Sequence, residues 1–359
     1  MAEPKTYSAA ERAQLFAMST RQNLQMLTKE TLSTTPGTVQ FHLPKSRFLS
    51  SIMLRVKATV KLKHETKTSL LDETDIFTAY RALRRISLDL NNGFQPFVLS
   101  GQDCAMLNMI DIHPDIIAPV TEDGAYNHCP IFTASADGTD NTFEFTICLD
   151  NTLNRRDPIS LICLQTDNLN VTCSLDFGNG SEMFANVEGL TAELKDITVS
   201  AMTTTYSIPD NANAYPDISI LKLSTGRSDA LPSAGQQTVK LTTGTIYRKL
   251  IFLVTDEDGN PVDDEFIQSN IDLVFNQADT NYSVSPEMLR VYNHRELGYQ
   301  LPKGMYVLDF SNGGSFANYG GSRDYIDTAK LSELWLRFTT KGKGKIDIVC
   351  EHLSRLVQA

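Results

Sequence analysis

Ile52-Met53-Leu54-Arg55-Val56-Lys57-Ala58-Thr59-Val60-Lys61-Leu62-Lys63 is the stretch that decides how this chain folds. Its apolar members, Ile52, Leu54, Val56, Ala58, Val60 and Leu62, alternate without a break against Met53, Arg55, Lys57, Thr59, Lys61 and Lys63. A two-residue period of this length predicts one long strand with a single buried face, the wall of a sheet. The alternation returns at Phe143, Phe145, Ile147 and Leu149, at Leu169, Val171, Cys173 and Leu175, and at Ile346, Ile348 and Cys350, so the chain reads as all-β.

Upstream, residues 8 to about 32 break the pattern. Ser8-x-x-Glu11 is a capping-box signature, and Ala13, Phe16, Ala17, Thr20, Leu24 and Leu27 then line one helical stripe, with Arg12, Arg21 and Lys29 off it. The expectation is one N-terminal amphipathic helix. It either packs on its parent domain or reaches a neighbour or a membrane surface, because basic residues flank an apolar stripe.

Downstream, strands are expected at 39–43 and 86–90, the latter closed by an Asn91-Asn92-Gly93 turn, then a short helix over 102–109. Leu161 to Gln165 and Leu169 to Leu175 read as a hairpin over Asp167-Asn168, and the Gly- and Asn-rich run from Phe177 to Gly189 reads as a linker. The second half repeats the plan: paired strands over 239–254, a strand at Ile271, a helix from Pro286 to about Leu297, and a closing hairpin of Trp335 to Thr339 with Lys345 to Glu351. Both halves run strands, short helix, strand, hairpin, which suggests duplicated architecture.

Composition sets bounds on function. At 359 residues and 41% hydrophobic, the chain is long enough for two domains, and a net charge of −11 argues against a broad nucleic-acid-gripping face. The start, Met1-Ala2-Glu3-Pro4-Lys5, lacks the apolar run of a secretory signal, so an intracellular origin is expected. The six cysteines form no CxxC pair, His128-Cys129 lacks further zinc ligands, and the six histidines are isolated. No phosphate-binding loop is present, and Ser315 is followed by Phe316-Ala317 rather than a nucleophile-elbow glycine. Asp256-Glu257-Asp258-Gly259 suits a hairpin turn better than a calcium loop, whose first ligand position falls on Val254. Neither cofactor, metal nor catalysis is expected.

An N-terminal amphipathic helix, two consecutive β-rich halves, no active-site constellation and an acidic chain together resemble a double jelly-roll major capsid protein. More narrowly, the helical arm, Arg84-Arg85-Ile86-Ser87-Leu88 running into Leu99-Ser100-Gly101-Gln102, and the closing Trp335-Leu336-Arg337-Phe338 with Ile346-Asp347-Ile348-Val349-Cys350 resemble the tectiviruses, above all the bacteriophages of Gram-positive hosts. The resemblance implies a helical arm over 1–35, a first jelly roll over 36–180 and a second over 181–359. It further implies a homotrimer, forming pseudo-hexagonal capsomers of an icosahedral shell over an internal membrane. Expected partners are neighbouring capsomers, penton and minor capsid proteins and that membrane, with no sequence-specific nucleic-acid binding. The chain would be assembled in the host cytoplasm and reside in the virion. Arg12, Phe16, Arg21, Leu24, Leu27 and Lys29 would be the arm's contacts with membrane or neighbour. The competing class is a jelly-roll receptor- or carbohydrate-binding spike or fibre protein, for which Phe316, Tyr319 and Tyr325 offer an aromatic platform.

Overall fold

The alternation at Ile52 forms a strand over Phe48–Lys63, whose inward residues Ile52 to Leu62 are fully buried while Met53, Arg55, Lys57 and Lys63 are exposed. The computed structural model describes residues 7–90, 93–112, 131–153, 159–166, 169–215, 218–277, 279–311 and 325–355. In the first half the elements are α1 (Ala9–Ser19), β1 (Gln22–Met26), β2 (Glu30–Leu32), β3 (Gly37–His42), β4 (Phe48–Lys63), β5 (Leu83–Leu90), β6 (Phe94–Leu99), α2 (Gly101–Asp111), β7 (Thr139–Asp150), β8 (Ile162–Cys163), β9 (Val171–Phe177) and β10 (Thr191–Tyr206). In the second they are β11 (Ile220–Leu231), β12 (Gly235–Leu241), β13 (Ile246–Asp256), β14 (Ile271–Phe275), β15 (Asp279–Val284), α3 (Pro286–Leu297), β16 (Met305–Asp309), β17 (Ile326–Asp327), β18 (Leu334–Thr340) and β19 (Gly344–Arg355).

One sheet runs β1-β10-β4-β7 and shares a core with β3-β9-β5-β6. A second pair, β11-β19-β13-β16 and β12-β18-β14-β15, encloses its own core. In each half the first, third, sixth and eighth strands form one sheet and the second, fourth, fifth and seventh the other, once the small strands β2, β8 and β17 are set aside. That exchange between two facing sheets is the jelly roll, present twice. A short parallel contact, Phe97 beside Ser224 and Val98 beside Thr225, joins β6 to β11 and makes one nine-stranded sheet across both barrels.

The duplication extends to side chains. Each barrel carries its helix at the same place, after the fifth strand, with a serine cap: Ser100 for α2 and Ser285 for α3. Asn108 sits on α2 at the same distance from its cap as Asn293 on α3. The Asn108 amide donates to the Cys148 carbonyl at 2.7 Å and its oxygen accepts from the Cys148 N–H at 2.8 Å. Asn293 makes the same pair with Val307, at 2.8 and 3.1 Å.

Several sequence expectations change. The N-terminal helix is present and its Ser8–Glu11 capping box forms, but it ends at Ser19, where Thr20 turns extended. Residues 22–26 then pair with β10 as the first strand of the first barrel, and Glu30–Leu32 pairs there too, because long-range hydrogen bonding to β10 outweighs a helical stripe that continues past Thr20. The arm expected over 1–35 therefore contains a barrel strand. At the other end, β10 completes the first barrel by pairing with β4, so a divide at 180/181 cuts that barrel. The supposed linker packs Met183, Phe184 and Val187 into the first core around a 3-10 turn, Ser181–Phe184.

None of the three proposed pairings in 161–175, 239–254 and 335–351 is a hairpin. β8 pairs with β4 while β9 pairs with β3 and β5. β12 and β13 lie in different sheets, as do β18 and β19. A jelly roll sends consecutive strands across the sandwich, and that arch carries the same alternation and turn signals as a hairpin. By contrast the strand expected over 86–90 does form, as β5, paired antiparallel with β6, and both short helices form where expected. Asp256 to Gly259 is a turn, with the Asp256 carboxylate accepting from the Asp258 and Asn260 N–H groups at 3.0 and 2.8 Å. Asn91-Asn92, His128-Cys129, Asp167-Asn168, Ser315, Phe316 and Tyr319 lie outside the described residues.

Candidate functional site

The part of the molecule with concentrated chemistry is the junction where the two barrels meet, and α2 is its centre. The Ser100–Asp103 capping box starts this helix, and most of its residues are buried, on polar as well as apolar positions. On one side it lies on its own barrel through the Asn108 bond to β7; on the other it meets the outward face of β11, β19 and β13. Ile251, Leu253, Val307 and Val349 of the second barrel belong to the same apolar cluster as Met106, Met109 and Ile110 of α2.

Polar networks fasten both ends of the helix. Near its start, Asp75 accepts from the Arg81 guanidinium at 3.0 and 2.7 Å, and Arg81 Nε donates to Gln102 Oε1 at 2.8 Å. Gln102 Nε2 then donates to Asp347 Oδ2 at 2.9 Å, and Lys345 pairs with Asp347 at 2.9 Å, so the chain of bonds crosses from one barrel to the other. Asp103 lies against Gly226 of β11 so closely that a Cβ there would come within 2.1 Å of its carboxylate. Burial raises the Asp103 carboxyl to about 6, against the opposing hydrogen bonds from Ser100.

Near the helix end, Lys249 of β13 pairs with Asp111, and Tyr299 donates its hydroxyl hydrogen to the Met109 carbonyl. Behind them Glu351, fully buried, meets Arg248 and, at 3.3 Å, Lys222. Burial opposes the Glu351 charge, yet Lys222, Lys249 and Arg248 together hold its carboxyl well below the usual range. Arg248 also donates to the Tyr325 hydroxyl at 2.9 Å, which commits one ring of the expected aromatic platform to this junction. Burial pushes the neighbouring His352 down to about 4, so it is neutral beside the Tyr247 ring.

The expected arm residues do not form one surface. Phe16 is buried against Phe48 and Tyr206, with ring centroids 6.0 and 5.7 Å apart, and Arg12 is half-buried. Arg21 is exposed after the helix, its backbone N–H donating to Ser207 Oγ at 3.0 Å. Leu24 stands exposed on β1; Leu27 is half-buried and donates its N–H to the Ala201 carbonyl at 2.8 Å; Lys29 is exposed. The junction residues Asp111, Lys249 and Glu351 escaped the sequence reading, since nothing in their local pattern marks a charge as buried. The signal that leads to them is the repeated spacing from capping serine to asparagine in the two helices.

Among the described residues no group of three or more His, Cys, Asp or Glu side chains is placed to hold a metal ion. None of the described helices is long and apolar enough to cross a membrane.

No protein-family model matches the chain, and no curated protein matches it in sequence. Solved structures do match its fold. The STIV major capsid protein aligns over 93% of this chain and 97% of its own at a TM-score of 0.67 and 12% identity. VP54 of PBCV-1 aligns over 98% and 95% at 0.61 and 10%, and major capsid protein P2 of bacteriophage PM2 over 93% and 98% at 0.55 and 10%. The chain has the double jelly-roll fold of viral major capsid proteins.

Proposed function

We infer that this chain is a major capsid protein, the structural subunit of a virion shell, which assembles as trimers into pseudo-hexagonal capsomers. The observation that supports this reading most directly is the nine-stranded sheet with α2 wedged across it, which sets two like barrels side by side as a single tile. Three such tiles about a threefold axis present six near-equivalent flanks. Mass measurement of the purified chain in solution tests it, with three chains' mass expected and a single chain's mass at every concentration counting against it.

Within this reading, the tectivirus-like form has a shell over an internal membrane, with penton and minor capsid proteins as further neighbours. It rests on the sequence resemblance. Arg21 and Lys29, both exposed, are its candidate lipid-side contacts, each worth about 1 kcal/mol near an anionic surface. Co-flotation with phosphatidylserine vesicles that survives Arg21→Glu plus Lys29→Glu would remove that assignment. The clean truncation for the helix is residues 1–20, since removal of 1–32 also strips β1 and β2 from β10.

A further inference from the structure

The two barrels follow one plan, but only one of their two equivalent helices is covered. Counted from the capping serines and the asparagine bonds, Met288 of α3 stands where Asp103 stands on α2, and Val291 where Met106 stands. Asp103 and Met106 are buried at the inter-barrel junction, whereas Met288 and Val291 are 60% and 61% exposed.

The surface that receives α2 has an equivalent too. Cys148 and Val307 are the strand residues held by the two asparagines; Cys148 pairs with Met53, which pairs in turn with Met202, and Val307 pairs with Ile251, which pairs in turn with Val349. One strand further, Met202 pairs with Met26 and Val349 with Gly226. Ile251 and Val349 are fully buried against the first barrel, while Met53 and Met26 are 42% and 62% exposed. A single chain thus holds one filled junction and the two unmated halves of a second, one on each barrel. The edges agree: the parallel contact of β6 with β11 has its counterpart in the outer edges of β15 and β1, which end their sheets.

We propose that α3 of one copy docks on the outward β1-β10-β4 face of the next copy, repeating between chains the junction that α2 makes within one. This deepens the capsomer reading and rests on it. The contact is heterologous, since different patches meet, and a heterologous contact that closes on itself gives a ring. Its chemistry differs from the internal junction at each of these positions, most sharply at the Asp103–Gly226 contact. Asp103 against Gly226 becomes Met288 against Met26, so two adaptable thioethers replace a tight carboxylate contact and the helix stands further off.

Substitutions of exposed residues test this, with thermal unfolding confirming that each variant still folds. Met26→Cys combined with Met288→Cys, treated with an oxidant or a short bismaleimide, is expected to give covalently joined chains, while either single variant gives none. Val291→Glu is expected to weaken association by roughly tenfold or more, as burial of a charge in an interface does, and added Met53→Lys to restore it. A wild-type trimer whose Val291→Glu form associates equally well and whose double-cysteine form does not cross-link would overturn the docking and leave the capsomer reading standing. A wild-type chain that never associates would overturn both.

Discussion

β4 and β13 occupy the same position in their barrels, third in order and next to the closing strand, yet they are buried differently. β4 alternates strictly, with core residues inward and Met53, Arg55 and Lys57 outward in the open. β13 is buried at nearly every residue from Tyr247 to Thr255, because its inward side faces its own core and its outward side lies under the first barrel. The run Leu250-Ile251-Phe252-Leu253-Val254 is the sequence trace of that double cover, as continuous apolar strands usually are. A sheet face can therefore be identical in topology and opposite in environment, and the two faces respond differently to the same perturbation.

Charge removal separates them most. Glu351→Ala leaves Lys222, Arg248 and Lys249 buried without their shared carboxylate, and should cost about 3–5 kcal/mol in denaturant unfolding. Arg55→Ala breaks an ion pair with Glu144 on the open face of β4, where the arginine side chain is 65% exposed, and should cost about 1 kcal/mol or less. Equal costs would mean that the junction is not dry.

Acid should act on the junction in two opposing directions. His352 titrates lower in the fold, about 4, than its ordinary 6.5, so its contribution is present above pH 6.5 and is lost as pH falls toward 4. Asp103 titrates higher, about 6 instead of 3.8, so its contribution is present below 3.8 and is lost as pH rises through 6. Each is worth on the order of 3 kcal/mol, and in the wild-type chain they largely offset each other between pH 6 and 4. Asp103→Asn should therefore lose stability over that range and His352→Phe should gain it, as read by unfolding midpoints at fixed ionic strength. Parallel profiles for the two variants would refute the assignment.

Packing gives the smallest contrast. Ile251→Ala empties a site closed on all sides and should cost about 2–4 kcal/mol, whereas Met53→Ala in the isolated chain should cost about 1 kcal/mol or less. In the assembled oligomer the Met53 value should rise toward that of Ile251, which sharpens the comparison, because docking of α3 would cover it.

The sequence was most legible where a signal is local. The strict alternation of β4, the two serine-capped helices and the turn at Gly259 need only a few neighbouring residues to specify them, and all three form as expected. It was least legible where the partner is distant. Leu24 and Leu27 fit a helical stripe as well as a strand and its flank, and only pairing with Met202 to Tyr206, far along the chain, selects the extended form. The same holds for the junction: Lys249 and Glu351 look like surface residues until the first barrel covers them.

By itself the sequence determined that this protein is built of β walls, that it runs through one plan twice, and where its short helices begin, because periodicity and capping act over one or two turns of chain. Only the tertiary structure decided which wall faces which, where one barrel ends and the next begins, and which charges are buried. Those choices depend on hydrogen bonds and contacts between strands remote in sequence, and an alternating strand accepts either neighbour equally well until the sheet closes around it.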